Sequence, residues 1–214
     1  MTQRAASDSR ACLRDALNHR QPTRLPMDIG STPVTGMHVS AVATLREHFG
    51  LERRPVKVHE PYQMLGWLDD DLKTALGIDV DGVPGPRTLF GFANDNWKYW
   101  RTPWGQEVLV SRDFVTTTDP ASGDVYIYPA GDTTAPASGH MPASGYFFDT
   151  IVRQEPIDDD KLDPADNLEE FGLLGPEDLN RIIDAVKAVQ NSPRGRVLGV
   201  PGAGLGDIAL VPAP

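Results

Sequence analysis
The spacing of apolar and polar positions divides the chain into short elements. Behind Asp8 or Ser9 as a cap, Cys12, Leu13, Ala16 and Leu17 fall on one stripe before Pro22, the pattern of an amphipathic helix. Leu25 to Gly30 is short, mostly apolar, and stops at a glycine followed by Ser31 and Thr32, which predicts a buried strand. Over 40–49, Val42, Leu45 and Phe49 recur at helical spacing, and Gly50 stands where a C-terminal cap belongs. Pro61 opens a predicted helix through Leu65, Leu68, Leu72, Ala75 and Leu76 that Gly77 closes. Residues 78–84 then alternate as a second strand.

From Trp97 the texture changes. Trp97, Tyr99, Trp100 and Trp104 gather around Pro103 and Gly105, and β-rich runs follow at 107–111, 125–129 and 146–151, separated by turn residues such as Asp119-Pro120 and Ser122-Gly123-Asp124. This predicts a small antiparallel insertion. Residues 130–145, rich in Ala, Gly, Pro, Ser and Thr, predict a long loop. Pro176 starts a strong helix with Leu179, Ile182, Ile183, Val186 and Val189, and 196–201 is a further short strand. Strand, helix, helix, strand, insertion, helix, strand is the order of an α/β chain whose crossovers build a parallel sheet or a barrel.

Composition narrows the partners. With 40% hydrophobic residues the chain can bury a core, while 20 basic against 30 acidic residues leave a formal charge of −10 that repels a phosphate backbone. Nucleic acid is therefore excluded as an expected partner. Cys12 is the single cysteine, so no intrachain disulfide and no cysteine-type metal site is expected, as in a reducing compartment. The polar opening residues carry no secretory pattern, and the glycines, prolines and Asp207 of 197–214 disqualify that stretch as a membrane helix. A cytoplasmic protein without a membrane partner is expected.

Candidate chemistry is sparse. Gly202-Ala203-Gly204-Leu205-Gly206-Asp207 lacks the last glycine and the following helix of a dinucleotide fingerprint. The acidic run from Glu155 to Glu170 lacks the alternation and glycine of a calcium loop and reads as a solvated surface. None of His19, His38, His48, His59 and His140 stands at a recognised metal spacing. His38 follows a strand end and a loop, where barrel enzymes place functional groups. Asp28, Asp79 and Asp81 lie on predicted strands, where a carboxylate is costly unless paired or functional.

The run from Arg14 to Asp28, with Asn18-His19-Arg20-Gln21-Pro22 and Arg24-Leu25-Pro26-Met27-Asp28, resembles the N-terminal part of uroporphyrinogen decarboxylase-like proteins. So do Leu45-Arg46-Glu47-His48-Phe49-Gly50-Leu51, Leu76-Gly77-Ile78-Asp79-Val80, Trp104-Gly105 and Gly145-Tyr146-Phe147-Phe148-Asp149. The resemblance implies an enzyme family of (β/α)8 barrels that includes the heme-pathway decarboxylase, a lyase of porphyrin biosynthesis, and corrinoid-linked methyltransferases. It departs in two places. The arginine-rich stretch that grips tetrapyrrole carboxylates after the first strand is replaced by Met27-Asp28-Ile29-Gly30-Ser31-Thr32, and the His-x-Cys zinc ligands of the methyltransferase branch have no counterpart.

The expectation is a partial (β/α)8 TIM barrel, its first three strands enlarged by a β-hairpin insertion. Residues 1–96 would hold the N-terminal helix and first barrel units, 97–154 the insertion, 155–175 an acidic loop, and 176–214 a helix, the third strand and a truncated tail. Methyl transfer involving a corrinoid or methylated substrate is the function expected, ahead of tetrapyrrole decarboxylation and of a non-catalytic half-barrel interaction module. Asp28, His38 and Asp79 are the expected catalytic residues, with Thr32, Asp81, Tyr146 and Asp149 contacting substrate. No metal is expected on this chain alone, zinc and corrinoid belonging to the longer family members. A small-molecule substrate, a corrinoid protein and a second copy joined through the open barrel edge are the expected partners.

Overall fold
A computed structural model describes residues 9–153, 158–161, 163 and 173–199. Among them are four helices, α1 (Ser9–Leu17), α2 (Val39–His48), α3 (Asp70–Leu76) and α4 (Pro176–Val189). The strands are β1 (Val56–Glu60), β2 (Leu65–Gly66), β3 (Val80–Val83), β4 (Lys98–Arg101), β5 (Glu107–Val110), β6 (Thr116–Thr118), β7 (Val125–Ile127), β8 (Gly139–Met141), β9 (Asp149–Thr150) and β10 (Gly195–Leu198). The architecture is mixed α/β with three sheets, and no closed barrel forms among the described residues.

The first sheet runs β2-β1-β5-β4, with β1 and β5 parallel and the other pairs antiparallel. The second pairs β3 with β10 in parallel, from Val80 opposite Gly195 to Val83 opposite Leu198. A meander, β6-β7-β8-β9, forms the third. Parallel pairing requires a crossover, and α4 packs on β3 within the connection that supplies it.

On its other side β3 meets the predicted first strand, which is not a strand. Pro26 has no N–H to give to a ladder, and 25–28 forms no regular element. It is fixed instead by the Asp79 N–H donating to the Met27 carbonyl at 2.8 Å and by a tight approach further on. A Cβ on Gly82 would lie 1.9 Å from the Ser31 oxygen, so only glycine admits this packing. Met27 beside Asp79 and Ser31 beside Gly82 mean that the segment advances in the direction of β3, as β10 does.

The predicted helix from Pro61 is corrected as well. Residues 61–64 form a turn with Met64 at a positive φ of 53°, β2 follows, and the helix starts only at α3. Three successive aspartates explain the start, because Asp70 and Asp71 lie in the first turn where negative charge is favoured. Gly77, at φ 69°, ends it in the left-handed conformation. The loop predicted over 130–145 contains β8, and β1, β4 and β6 lie outside any predicted strand. Most of the acidic run, the stretch from 200 onward and the glycine motif at 202–207 lie outside the described residues.

One apolar cluster unites the units. Val42 of α2, Val56 and Val58 of β1, Val108 and Val110 of β5, and Ile127 of β7 share it with Phe90, Phe114 and Phe148. Phe114 meets Trp100 edge-on at 5.0 Å between ring centres and Phe148 at 6.1 Å, so the aromatic-rich segment forms core with residues 39–92. Arg46, only 2% exposed on α2, donates to both carboxylate oxygens of Asp71 on α3 at 2.8 and 2.9 Å. Its guanidinium holds the Asp71 carboxyl below the usual carboxylate range. Among the described residues no helix is long and apolar enough to cross a membrane.

Candidate functional site
A cavity of about 460 Å³ opens where three loops converge. Gly30, Ser31, Thr32 and Pro33 come from the turn after the irregular first segment. His59, Glu60, Tyr62 and Gln63 come from the C-terminal end of β1, and Gly82, Pro84, Gly85, Arg87 and Thr88 from the end of β3 and beyond. Trp67, Leu68, Lys73, Leu89 and Asn94 complete the wall. The size suits a small organic molecule, and the lining combines apolar faces with polar and charged side chains.

The polar groups of the wall are unevenly satisfied. Lys73 donates to Asp81 at 2.7 Å, with its ammonium 5.7 Å from the Trp67 ring centre, and Arg87 pairs with Asp178 of α4 at 3.0 Å. Glu60 has no cationic partner among the described residues. Its two oxygens accept the N–H groups of Tyr62 at 2.9 Å and Gln63 at 2.8 Å, while burial to 8% exposure raises its carboxyl above the ordinary value against those hydrogen bonds.

Three wall residues each keep one buried polar atom without a hydrogen-bond partner: His59 Nε2, Thr88 Oγ1 and Asn94 Oδ1. Each such atom costs about 1–3 kcal/mol relative to a paired one. The Asn94 amide is held in place, because its Nδ2 donates to the His59 carbonyl at 2.6 Å. Burial pushes the His59 imidazole from 6.5 down to about 4, with the Lys73 charge adding to the effect, so the ring is neutral at pH 7.

Of the residues singled out by sequence, Thr32 lines this cavity and the others lie elsewhere. Asp79, 1% exposed, is saturated within the fold. It pairs with Arg24, accepts the Ser9 hydroxyl at 2.6 Å and the Met27 N–H at 2.9 Å, and so locks α1 and the first segment to β3. Burial works to raise its carboxyl, but these partners hold it below the usual range. Asp81 is held low in the same way, against burial, by Lys73, Ser192 and Arg194. Both carboxylates have their acceptors filled by the protein itself.

Asp28 accepts the Ser31 hydroxyl at 2.5 Å and shapes the turn that carries Thr32. His38 and Tyr146 are brought together, but as a structural joint. His38 caps α2, its Nδ1 accepting the Ser40 N–H at 3.2 Å, so the ring proton sits on Nε2 and is donated to the Tyr146 carbonyl at 2.9 Å. Trp104 completes the joint, 5.3 Å from His38 and 5.1 Å from Tyr146 between ring centres. Asp149 is exposed on β9.

In the sequence His59 stands out only as a histidine without a metal spacing, and Glu60, Thr88 and Asn94 were passed over. One signal was available: Val56-Lys57-Val58-His59-Glu60 alternates as a half-buried strand should, and its last residues fall at a strand end. Among the described residues no group of three or more His, Cys, Asp or Glu could hold a metal, and the Cys12 thiol is buried, donating to the Arg24 carbonyl at 3.0 Å. The donors described here therefore do not fit a zinc ion of the methyltransferase type. Comparison with protein-family models, curated proteins and solved structures finds no match.

Proposed function
We propose that this chain carries the opening strands of a uroporphyrinogen decarboxylase-like barrel enzyme, and that the cavity holds a small methylated substrate for transfer of its methyl group to a corrinoid on a partner protein. The observation that carries the proposal is the position of the cavity. It lies at the C-terminal ends of β1 and β3, beside the turn after the segment that runs along β3. Enzymes built from parallel strands bind substrate at that end, because the loops leaving the strands converge there. The parallel succession of segment 27–31, β3 and β10 supports a barrel origin for the same reason.

Methyl transfer is favoured over tetrapyrrole decarboxylation by the charges of the wall. A tetrapyrrole with many carboxylate arms needs free cations. Lys73 and Arg87, the two cations lining the cavity, are already paired with Asp81 and Asp178. In the proposed reaction the methyl group leaves as a cation equivalent, its bond pair staying on the substrate heteroatom, and the corrinoid supplies the accepting electron pair. A corrin macrocycle is larger than this cavity, so it stays on the partner and meets the substrate at the cavity mouth.

The test is incubation of the chain with a reduced corrinoid and methylated donors, followed by the corrinoid's visible spectrum, alongside measurement of carbon dioxide released from uroporphyrinogen. Chain-dependent methylation of the corrinoid supports the proposal; release of carbon dioxide overturns it. A half-barrel interaction module is the second reading. It is favoured by α4, whose Leu179, Ile183 and Val186 are 49%, 40% and 37% exposed on one stripe, and by the two-stranded β3-β10 sheet. Sedimentation showing a tight dimer with an empty, ligand-indifferent cavity would favour it.

A further inference from the structure
The cavity wall has a charge pattern from which the ligand's chemistry follows. Five titratable side chains line it: His59, Glu60, Tyr62, Lys73 and Arg87. The two cations are ion-paired with Asp81 and Asp178. The imidazole is neutral at pH 7. Among the described residues Glu60 has no counter-charge, and it is more than nine-tenths buried.

A buried carboxylate that receives only two backbone N–H groups retains acceptor capacity, since each oxygen has two lone pairs. Asn94 carries a second buried acceptor, Oδ1, whose orientation is fixed by the amide's bond to the His59 carbonyl and which meets no donor among the described residues. Thr88 Oγ1 and His59 Nε2 are likewise without partners. The wall thus holds one carboxyl group without a counter-charge among the described residues, with three unpaired polar atoms buried beside it. Beside them stand the apolar surfaces of Tyr62, Trp67 and Leu68.

We propose that the cavity binds an organic ammonium ion, a protonated primary or secondary amine with an apolar body. Glu60, in the same wall as Asn94 and Thr88, is its counter-ion. The apolar body lies against Tyr62 and Trp67. An anion is disfavoured, because the two cations in the wall are held by Asp81 and Asp178. A neutral alcohol of the same shape fills the same volume but leaves Glu60 without a counter-charge. This inference deepens the proposed function, resting on its assignment of the cavity as the substrate site.

The test is calorimetric titration of the full chain with phenethylammonium and with two isosteres, 2-phenylethanol wearing a hydroxyl and phenylacetate wearing a carboxylate. Trp67 is the one tryptophan in the wall, so the four indole N–H resonances locate the site, with Trp67→Phe assigning the reporting signal. The ammonium is expected to bind at least ten-fold more tightly than the alcohol, to shift the Trp67 resonance selectively, and to lose at least ten-fold in affinity in Glu60→Gln. Equal affinity for ammonium and alcohol, preference for the carboxylate, or no binding of the ammonium overturns the proposal. The wild-type ligand series decides the matter even if Glu60→Gln fails to fold. Ammonium binding without methyl transfer from its N-methyl derivative would retire the methyltransferase reading and keep this site; methyl transfer from donors that are not amines would do the reverse.

Discussion
Acidification from pH 7 to 4 charges the His59 ring, and the structure sets how much stability that removes. The folded chain holds this group at about 4 against 6.5 for the free side chain, chiefly through burial. Between those values the unfolded chain binds a proton that the folded chain refuses, so the neutral ring's contribution is complete above 6.5, declines as pH falls, and levels off below about 4. The gap, at about 1.36 kcal/mol per pH unit, amounts to about 3 kcal/mol of unfolding free energy. Asp71, Asp79, Asp81 and Asp95 also lose stability as pH falls, but their folded values lie below 3.8, so their loss is centred beneath this window. Urea unfolding followed by tryptophan fluorescence from pH 7 to 4, on the wild type and on His59→Phe, separates the two. The wild type is expected to lose about 3 kcal/mol more than the variant over that interval. Parallel curves for the two proteins would refute the assignment of a buried, neutral imidazole.

Other substitutions probe the frame that holds the cavity. Asp79→Ala removes the buried carboxylate that Arg24, Ser9 and Met27 share, so thermal or urea unfolding is expected to report a loss of about 3–5 kcal/mol, and a loss under about 1 would contradict the locking role. Gly82→Ala drives a methyl group into the Ser31 backbone, which must shift the turn carrying Thr32; a fall in stability of about 1–3 kcal/mol with weakened ligand binding is expected from the same titrations. His38→Ala removes a helix cap and its tie to Tyr146, at about 1 kcal/mol by chemical denaturation, with ligand affinity in the cavity changed by less than about two-fold.

Helices were legible where the apolar stripe and the cap agree. α1, α2 and α4 lie where Cys12, Val42 and the stripe from Leu179 to Val189 predict them, and β3 and β10 lie within or beside their predicted ranges. The helix predicted from Pro61 failed because Leu65 and Leu68 keep helical spacing while serving β2 and the approach to α3, and the cluster Asp69-Asp70-Asp71 was the truer start signal. β4, β6 and β8 are three or four residues long, and their conformation depends on partners across the sheet more than on local preference. The same limit hid the site. Glu60, Thr88 and Asn94 are ordinary residues in sequence, and only the convergence of three distant loops places them around one space. Asp79 and Asp81 were conspicuous because buried carboxylates on strands need a reason, and the reason in this fold is ion pairing with Arg24 and Lys73.

The most direct test of the account follows a labelled methyl group. The full chain is incubated with isotopically methyl-labelled N-methylphenethylamine and a reduced corrinoid, and the label is traced by mass spectrometry. The account predicts label on the corrinoid and free phenethylamine in equal amount, both lost in Glu60→Gln. Label that stays on the amine, or carbon dioxide released from a tetrapyrrole by the same chain, would contradict it.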